Sequence, residues 1–167
     1  FQMGLADMDE RKYKNAIQAF EKSLKLDPKY GTPEVFANLA FSHSRLNNAS
    51  ATATYCEKAL SKQPNFHGLR YQYAWALIEQ KKYGAALAEV KRFLEIYPSS
   101  AMGFLQQGCI YARMHDYLHS VQYYNKALSL NPKDSIIRRE RDLAVANLGY
   151  WENTSRRGAR ANDAVSH

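Results

Sequence analysis

Disulfide chemistry is the first thing this chain lacks the means for: its 167 residues hold two cysteines, Cys56 and Cys109, at no spacing that metal or redox sites use. The expectation is a reducing, cytoplasmic setting without disulfides, with nucleus and organelles kept as alternatives. Proline and glycine are scarce, at five and eight residues, which excludes collagen-like and low-complexity chains. The glycines build neither a GxxxxGK phosphate loop nor a GxSxG nucleophile elbow, so phosphate-cradle and hydrolase chemistry have no basis in the sequence. No window alternates apolar with polar residues over the length of a strand, which leaves an all-α chain. No apolar run approaches a membrane span, and no charged-then-apolar leader opens the chain. Phe1 falls inside a helical pattern without an initiator Met, so a piece of a longer protein is expected.

What is present is apolar material and positive charge. Hydrophobic residues make up 46% of the chain, ample for one domain's core, and the net charge of +7 at pH 7 favours an acidic partner. The basic residues are scattered along the helical stretches as well as gathered near the end, which argues against nucleic acid as the main partner, because a clustered footprint would be needed. A period dominates the sequence. Pro28, Pro64, Pro98 and Pro132 each close an amphipathic run, at intervals of 36, 34 and 34 residues. Within each period an amphipathic run, a polar turn, a second run and a proline stop describe a helical hairpin. Helices are predicted near 1–9, 13–26, 33–46, 49–62, 67–80, 83–96, 101–114 and 117–130, with a ninth over 134–150.

Small and large residues recur at fixed slots of the period. The fourth repeat shows Phe104, Gln107, Gly108, Tyr111, Tyr117, Ser120, Tyr124, Ala127 and Pro132. The third shows Tyr73, Ala74, Leu77, Tyr83, Ala86, Val90 and Pro98, and the first Met3, Gly4, Tyr13, Ala16, Phe20, Ser23 and Pro28. The second keeps Phe36, Leu39, Ala40 and Ala59 but has Ala49 and Thr52 where Tyr and Ala are usual, and its two extra residues are assigned to the Lys29 to Pro33 turn. In these residues the chain resembles the tetratricopeptide repeat (TPR) family. The resemblance implies an all-α, right-handed superhelix over 1–150: about four hairpins at 1–30, 31–66, 67–100 and 101–134, then a capping helix at 134–150. It also implies that the first helix of each hairpin lines a concave surface. The capping helix is expected to bury Ile137, Val145 and Leu148 while exposing Arg138, Glu140 and Arg141; residues 151–167 lose the period and read as a polar, basic, flexible tail.

First-helix residues that packing does not consume are the candidates for function. One slot gives Leu5, Phe41, Trp75 and Cys109, with Leu143 in the capping helix; a turn earlier come Phe1, Ala37, Tyr71, Leu105 and Arg139, and a turn later Met8, Ser44, Ile78 and Ala112. Such an apolar ladder on a surface marks a contact site. The predicted partner-binding set is Leu5, Met8, Phe41, Tyr71, Trp75, Ile78, Glu79, Met102, Leu105, Cys109, Arg113 and Arg139, with Glu34 and Arg138 also on the fringe, where charges set register. The competing reading makes Trp75 extra core against Phe41 and Cys109. Family members that hold acidic chaperone tails use Lys, Asn, Asn, Lys and Arg. Those slots here hold Phe1, Leu5, Asn38, Gly68 and Gln72, or one repeat later Ala37, Phe41, Gln72, Met102 and Gln106, and neither set neutralises several carboxylates.

His115 and His119 stand four apart, but the period puts one in a turn and the other in a helix, so no metal site is expected. No cofactor is expected either. The function implied is a protein-interaction module or scaffold, not an enzyme, that holds a peptide or helix of a partner protein. Two alternatives are structural assembly, in which a face around Phe1, Met3 and Met8 stacks on another copy as a homo-oligomer or on upstream repeats of a larger TPR protein, and contact of Arg138 to Arg160 with RNA or anionic lipid.

Overall fold

A computed structural model describes residues 12–165, with side chains through Thr154. The helix expected over 1–9 lies outside the described residues. Eight α-helices follow: α1 Tyr13–Leu26, α2 Pro33–Arg45, α3 Ala49–Lys62, α4 His67–Glu79, α5 Tyr83–Ile96, α6 Ala101–Arg113, α7 Tyr117–Leu130 and α8 Ser135–Val165. The described residues contain no strand. The extra residues of the second repeat form a 3-10 turn, Pro28–Tyr30, which leads through Thr32, the N-cap of α2, to Pro33 at its first position. The chain divides into two compact units, one ending at Ile96 and the other beginning at Tyr97. In the first, α1 to α5 pack each on the next; in the second, α7 packs on both α6 and α8.

The turn inside each hairpin is built the same way three times. Asn47, Lys81 and His115 take left-handed φ values of 56°, 59° and 62°. Their N–H groups return to the carbonyls of Ser44, Ile78 and Ala112 at 3.0, 2.9 and 3.0 Å, and those of Asn48, Lys82 and Asp116 reach one residue further back, to His43, Leu77 and Tyr111, each at 2.9 Å. This paired closure satisfies carbonyls that a helix end would otherwise leave open. Asn48 and Asp116 also start the next helix, their side chains accepting from the N–H groups of Ala51 and His119.

Each hairpin then closes where a small side chain meets a larger one. A Cβ on Gly108 would come within 2.5 Å of the Tyr124 ring, so only glycine admits that ring. Ser120 donates to the Gly108 carbonyl at 3.0 Å, and the Tyr124 hydroxyl lies 3.4 Å from the Cys109 sulfur. In the first unit the matching slots pair Ala40 with Cys56 and Ala74 with Val90, all fully buried. A smaller partner in α3 and α5 leaves room for the extra methyl.

The third repeat contains an ion cluster that its sequence did not reveal. Arg70 Nη1 and Arg92 Nη1 donate to the two oxygens of Glu89 at 2.6 and 2.7 Å, and Arg70 Nη2 donates to the Pro64 carbonyl at 2.8 Å. The same three slots of the neighbouring repeats hold Phe36, Tyr55 and Lys58, and Phe104, Tyr123 and Lys126. There the lysine ammonium lies over both rings, at 5.8 and 5.2 Å and at 5.8 and 5.1 Å. One position in the repeat thus accepts a cation beside either a carboxylate or two aromatic faces.

Two expectations for the last helix are corrected. Its buried residues are Ile137 and Ala144, seven apart and on one face, whereas Val145 is 47% exposed because one residue on from Ala144 is a turn of about 100° away. The helix also continues to Val165 instead of ending at 150: residues 151–165 contain no proline, and their Arg, Ala and Glu are compatible with it.

Gly108→Ala should lower stability by about 1–3 kcal/mol, because the Tyr124 ring must move. Glu89→Ala, which strands the largely buried Arg70 guanidinium, should cost about 3–5 kcal/mol, against roughly 0.5–1 kcal/mol for Lys126→Ala. Urea unfolding of the three variants beside wild type measures both claims.

Candidate functional site

Within the first unit, α2 and α4 with the start of α3 bound a cleft of about 560 Å³, its walls including Phe41, Ser44, Arg45, Tyr71, Trp75 and Glu79. Its aromatic side chains are anchored from behind. Phe41, 39% exposed, meets the buried Tyr13 edge-to-face at 6.0 Å. Tyr71 meets Trp75 edge-to-face at 6.3 Å and lies 6.1 Å from Phe93. Tyr71 and Trp75 are each half-buried, so the core holds their edges while part of each ring is left to the cleft. On the polar side, Gln72 Nε2 donates to Ser44 Oγ at 2.9 Å, and Ser44 in turn donates to the Phe41 carbonyl at 2.8 Å.

Four of the predicted residues, Phe41, Tyr71, Trp75 and Glu79, come together here. Ile78 does not. It is only 1% exposed, because it stands one helical turn after the fully buried Ala74 and shares its face, so the groove assignment of Ile78 is corrected to core. Leu5 and Met8, with the self-assembly face around Phe1 and Met3, lie outside the described residues. The second unit carries Met102, 52% exposed, half-buried Leu105 and Cys109, and exposed Arg113 on α6, with exposed Arg139 on α8. Arg139 pairs with Glu140 at 3.1 Å and Arg138 donates to the Pro132 carbonyl at 2.7 Å, so both spend donors within their own surroundings. The sequence reading missed Arg45. Its signal was available, since Arg45, Glu79 and Arg113 follow one another at the repeat interval of 34.

Neither thiol is set up as a nucleophile. Burial pushes Cys56 up to about 12 and raises Cys109, the latter partly relieved by the Tyr124 hydroxyl, so both stay protonated at neutral pH. His115 and His119 take different partners: His115 Nδ1 pairs with the Tyr117 hydroxyl at 2.9 Å and His119 Nδ1 with Asp116 at 2.7 Å. Among the described residues no three His, Cys, Asp or Glu side chains converge as metal ligands, and no helix is long and apolar enough to cross a membrane.

Antiparallel hairpins on a beat of 34, closed by a small-against-large contact, define a helical-repeat protein of the all-α class. Family descriptions reading Tetratricopeptide repeat match residues 1–30, 55–88 and 103–134, together more than half of the sequence. The chain belongs to the tetratricopeptide repeat family. It is 29% identical over 100 residues to serine/threonine-protein phosphatase T of Trypanosoma brucei brucei, covering 60% of this chain and 21% of that protein. It is 22% identical over 129 residues to anaphase-promoting complex subunit 3 of Schizosaccharomyces pombe, covering 77% and 19%. The chain thus spans about a fifth of the length of these curated relatives. Among solved structures, MamA protein superposes with a TM-score of 0.78 at 18% identity, over 97% of this chain and 87% of MamA. YrrB, a TPR protein with an unusual peptide-binding site, gives 0.76 at 21% identity, over 83% and 71%. At these identities the likeness is one of fold.

Acid should destabilise the first unit through His43. Its ring stacks on Tyr55 at 5.4 Å, and its Nε2 is buried with no hydrogen-bond partner. Burial holds its pKa below the ordinary 6.5, with Glu21 offsetting only part of the effect. The unfolded chain therefore takes up a proton near pH 6.5 that the folded chain still refuses, and stability falls as pH drops below 6.5 toward the lower native value. His43→Phe, which keeps a ring against Tyr55, should show a smaller loss of stability than wild type between pH 7.5 and 5.5 in urea titrations. Equal losses in the two proteins would count against this role.

Proposed function

We propose that this chain is a protein-interaction module whose first unit holds a polypeptide segment of a partner in the cleft among Phe41, Tyr71 and Trp75. The observation that carries the reading is the state of these rings: each is fixed at its edge by a core aromatic or a neighbour, yet each keeps surface in a concavity of about 560 Å³. That volume falls in the range of binding pockets, roughly 300–1,000 Å³, and suits two or three side chains rather than a whole domain face. Aromatic anchors held rigid lose little freedom when a ligand covers them, which is why such rings dominate binding energy where they occur. The tetratricopeptide fold and the peptide-binding site of YrrB support a polypeptide as the ligand.

Burying about 200 Å² of an indole at about 25 cal/mol per Å² sets a ceiling of about 5 kcal/mol, from which ordering costs are subtracted. Trp75→Ala should therefore weaken binding of a peptide carrying a Phe or Leu anchor by roughly 10- to 100-fold, about 1.4–2.8 kcal/mol. The measurement is fluorescence anisotropy of labelled peptides selected on wild type, with circular dichroism to show that the variant is folded. Affinity unchanged in a folded Trp75→Ala protein would overturn the assignment of this cleft.

A further inference from the structure

Arg45 lines the cleft and rests on the Tyr13 ring, and among the described residues no oxygen takes its N–H donors. We infer that Arg45 is the specificity determinant of the cleft, and that the segment it accepts carries an acidic side chain beside its apolar anchor. This rests on the reading of the cleft as a docking site.

Arg70 and Arg92 bind Glu89, Arg138 binds the Pro132 carbonyl, Arg139 binds Glu140, and Arg141 binds Asp142 at 2.7 Å. Each spends N–H donors on an oxygen. Arg45 is different: its guanidinium carbon stands 5.6 Å from the centre of the Tyr13 ring, and among the described residues it pairs with no oxygen. The same Tyr13 ring carries Phe41 on its other contact, at 6.0 Å, so one buried tyrosine positions both the cation and an apolar wall of the cleft. A guanidinium laid on a ring is held in place by the π face, while its planar fork of N–H donors is left available for a carboxylate.

Charge in the cleft also has a direction. Among the side chains lining it, Arg45 supplies the one positive charge and Glu79 the one negative charge, on α2 and α4 respectively. Both stand in the last turn of their helices, one repeat apart. An acidic residue in the bound segment is drawn to the α2 side, where Arg45 stands. The net charge of +7 adds attraction at longer range for such a partner.

The test is a phage-displayed peptide library with one fixed Phe flanked by five randomised positions on each side, selected on the folded chain. Enriched sequences are then synthesised and titrated against wild type, Arg45→Glu, Arg45→Gln and Trp75→Ala. Support consists of Asp or Glu enriched at one position near the Phe, a loss of at least 10-fold in Arg45→Glu with a smaller loss in Arg45→Gln, and partial recovery when that acidic residue is replaced by Lys and offered to Arg45→Glu. Selected peptides that lose affinity in Trp75→Ala but bind Arg45→Glu as well as wild type overturn the inference and leave the cleft standing. Peptides indifferent to both substitutions, or no enrichment at all, overturn the inference together with the reading it rests on. Arg45 is exposed, so its variants should lose only the contact with the Tyr13 ring and unfold in urea close to wild type; if Arg45→Glu loses more than Arg45→Gln, the Arg45→Gln titration decides alone.

Discussion

The contact on which the rest depends is the close approach of the two helices within each hairpin. In the second unit it takes its sharpest form, with the Tyr124 ring lying where any Cβ on residue 108 would have to be. A backbone allowed that close brings Ser120 onto the Gly108 carbonyl and aligns the two helices along their length. In the first unit Ala40 and Ala74 occupy the matching slot and face smaller partners, Cys56 and Val90. The larger residue in the small slot is met by a smaller partner, so the contact stays closed while the residues change, as dense interiors require.

From that contact the remaining surfaces of the first helices are determined. A helix that turns Ala74 and Ile78 inward turns Trp75 and Glu79, each one residue further on, about 100° away from them and leaves Tyr71 half-buried at the boundary; α2 does the same with Phe41, one residue after the buried Ala40. The cleft is therefore a by-product of hairpin geometry that side-chain choice has made aromatic. Its rings are stiffened by Tyr13 and Phe93, which belong to α1 and α5, so folding of the surrounding helices and preparation of the site are one event.

Much of this was legible in the sequence because it repeats. Prolines at intervals of 36, 34 and 34 give the hairpins, the boundaries of α1 to α7 fall within one residue of those predicted, and slot counting brought Phe41, Tyr71, Trp75 and Glu79 to one place. What escaped is what does not repeat or does not show as periodicity. The Arg70, Glu89 and Arg92 cluster joins residues on two helices, and polar residues at those slots look like ordinary solvated charge. The left-handed turn residues Asn47, Lys81 and His115 carry no glycine to mark them. Ile78 was misplaced because three residues from Trp75 is close to a full turn on paper but falls on the side of Ala74 in space, where it is sealed. In α8 the error was of the same kind, with Ala144 taking the inward position given to Val145.

The most direct test of the central claim uses the two indoles as reporters. Trp75 lies in the cleft, and Trp151 on α8 is 60% exposed. In a two-dimensional nitrogen-proton spectrum each gives a separate side-chain resonance, assignable with Trp151→Phe. Titration with a peptide that binds the chain should move the Trp75 indole signal and leave that of Trp151 in place. Saturable binding that moves only Trp151, or neither, would contradict the account.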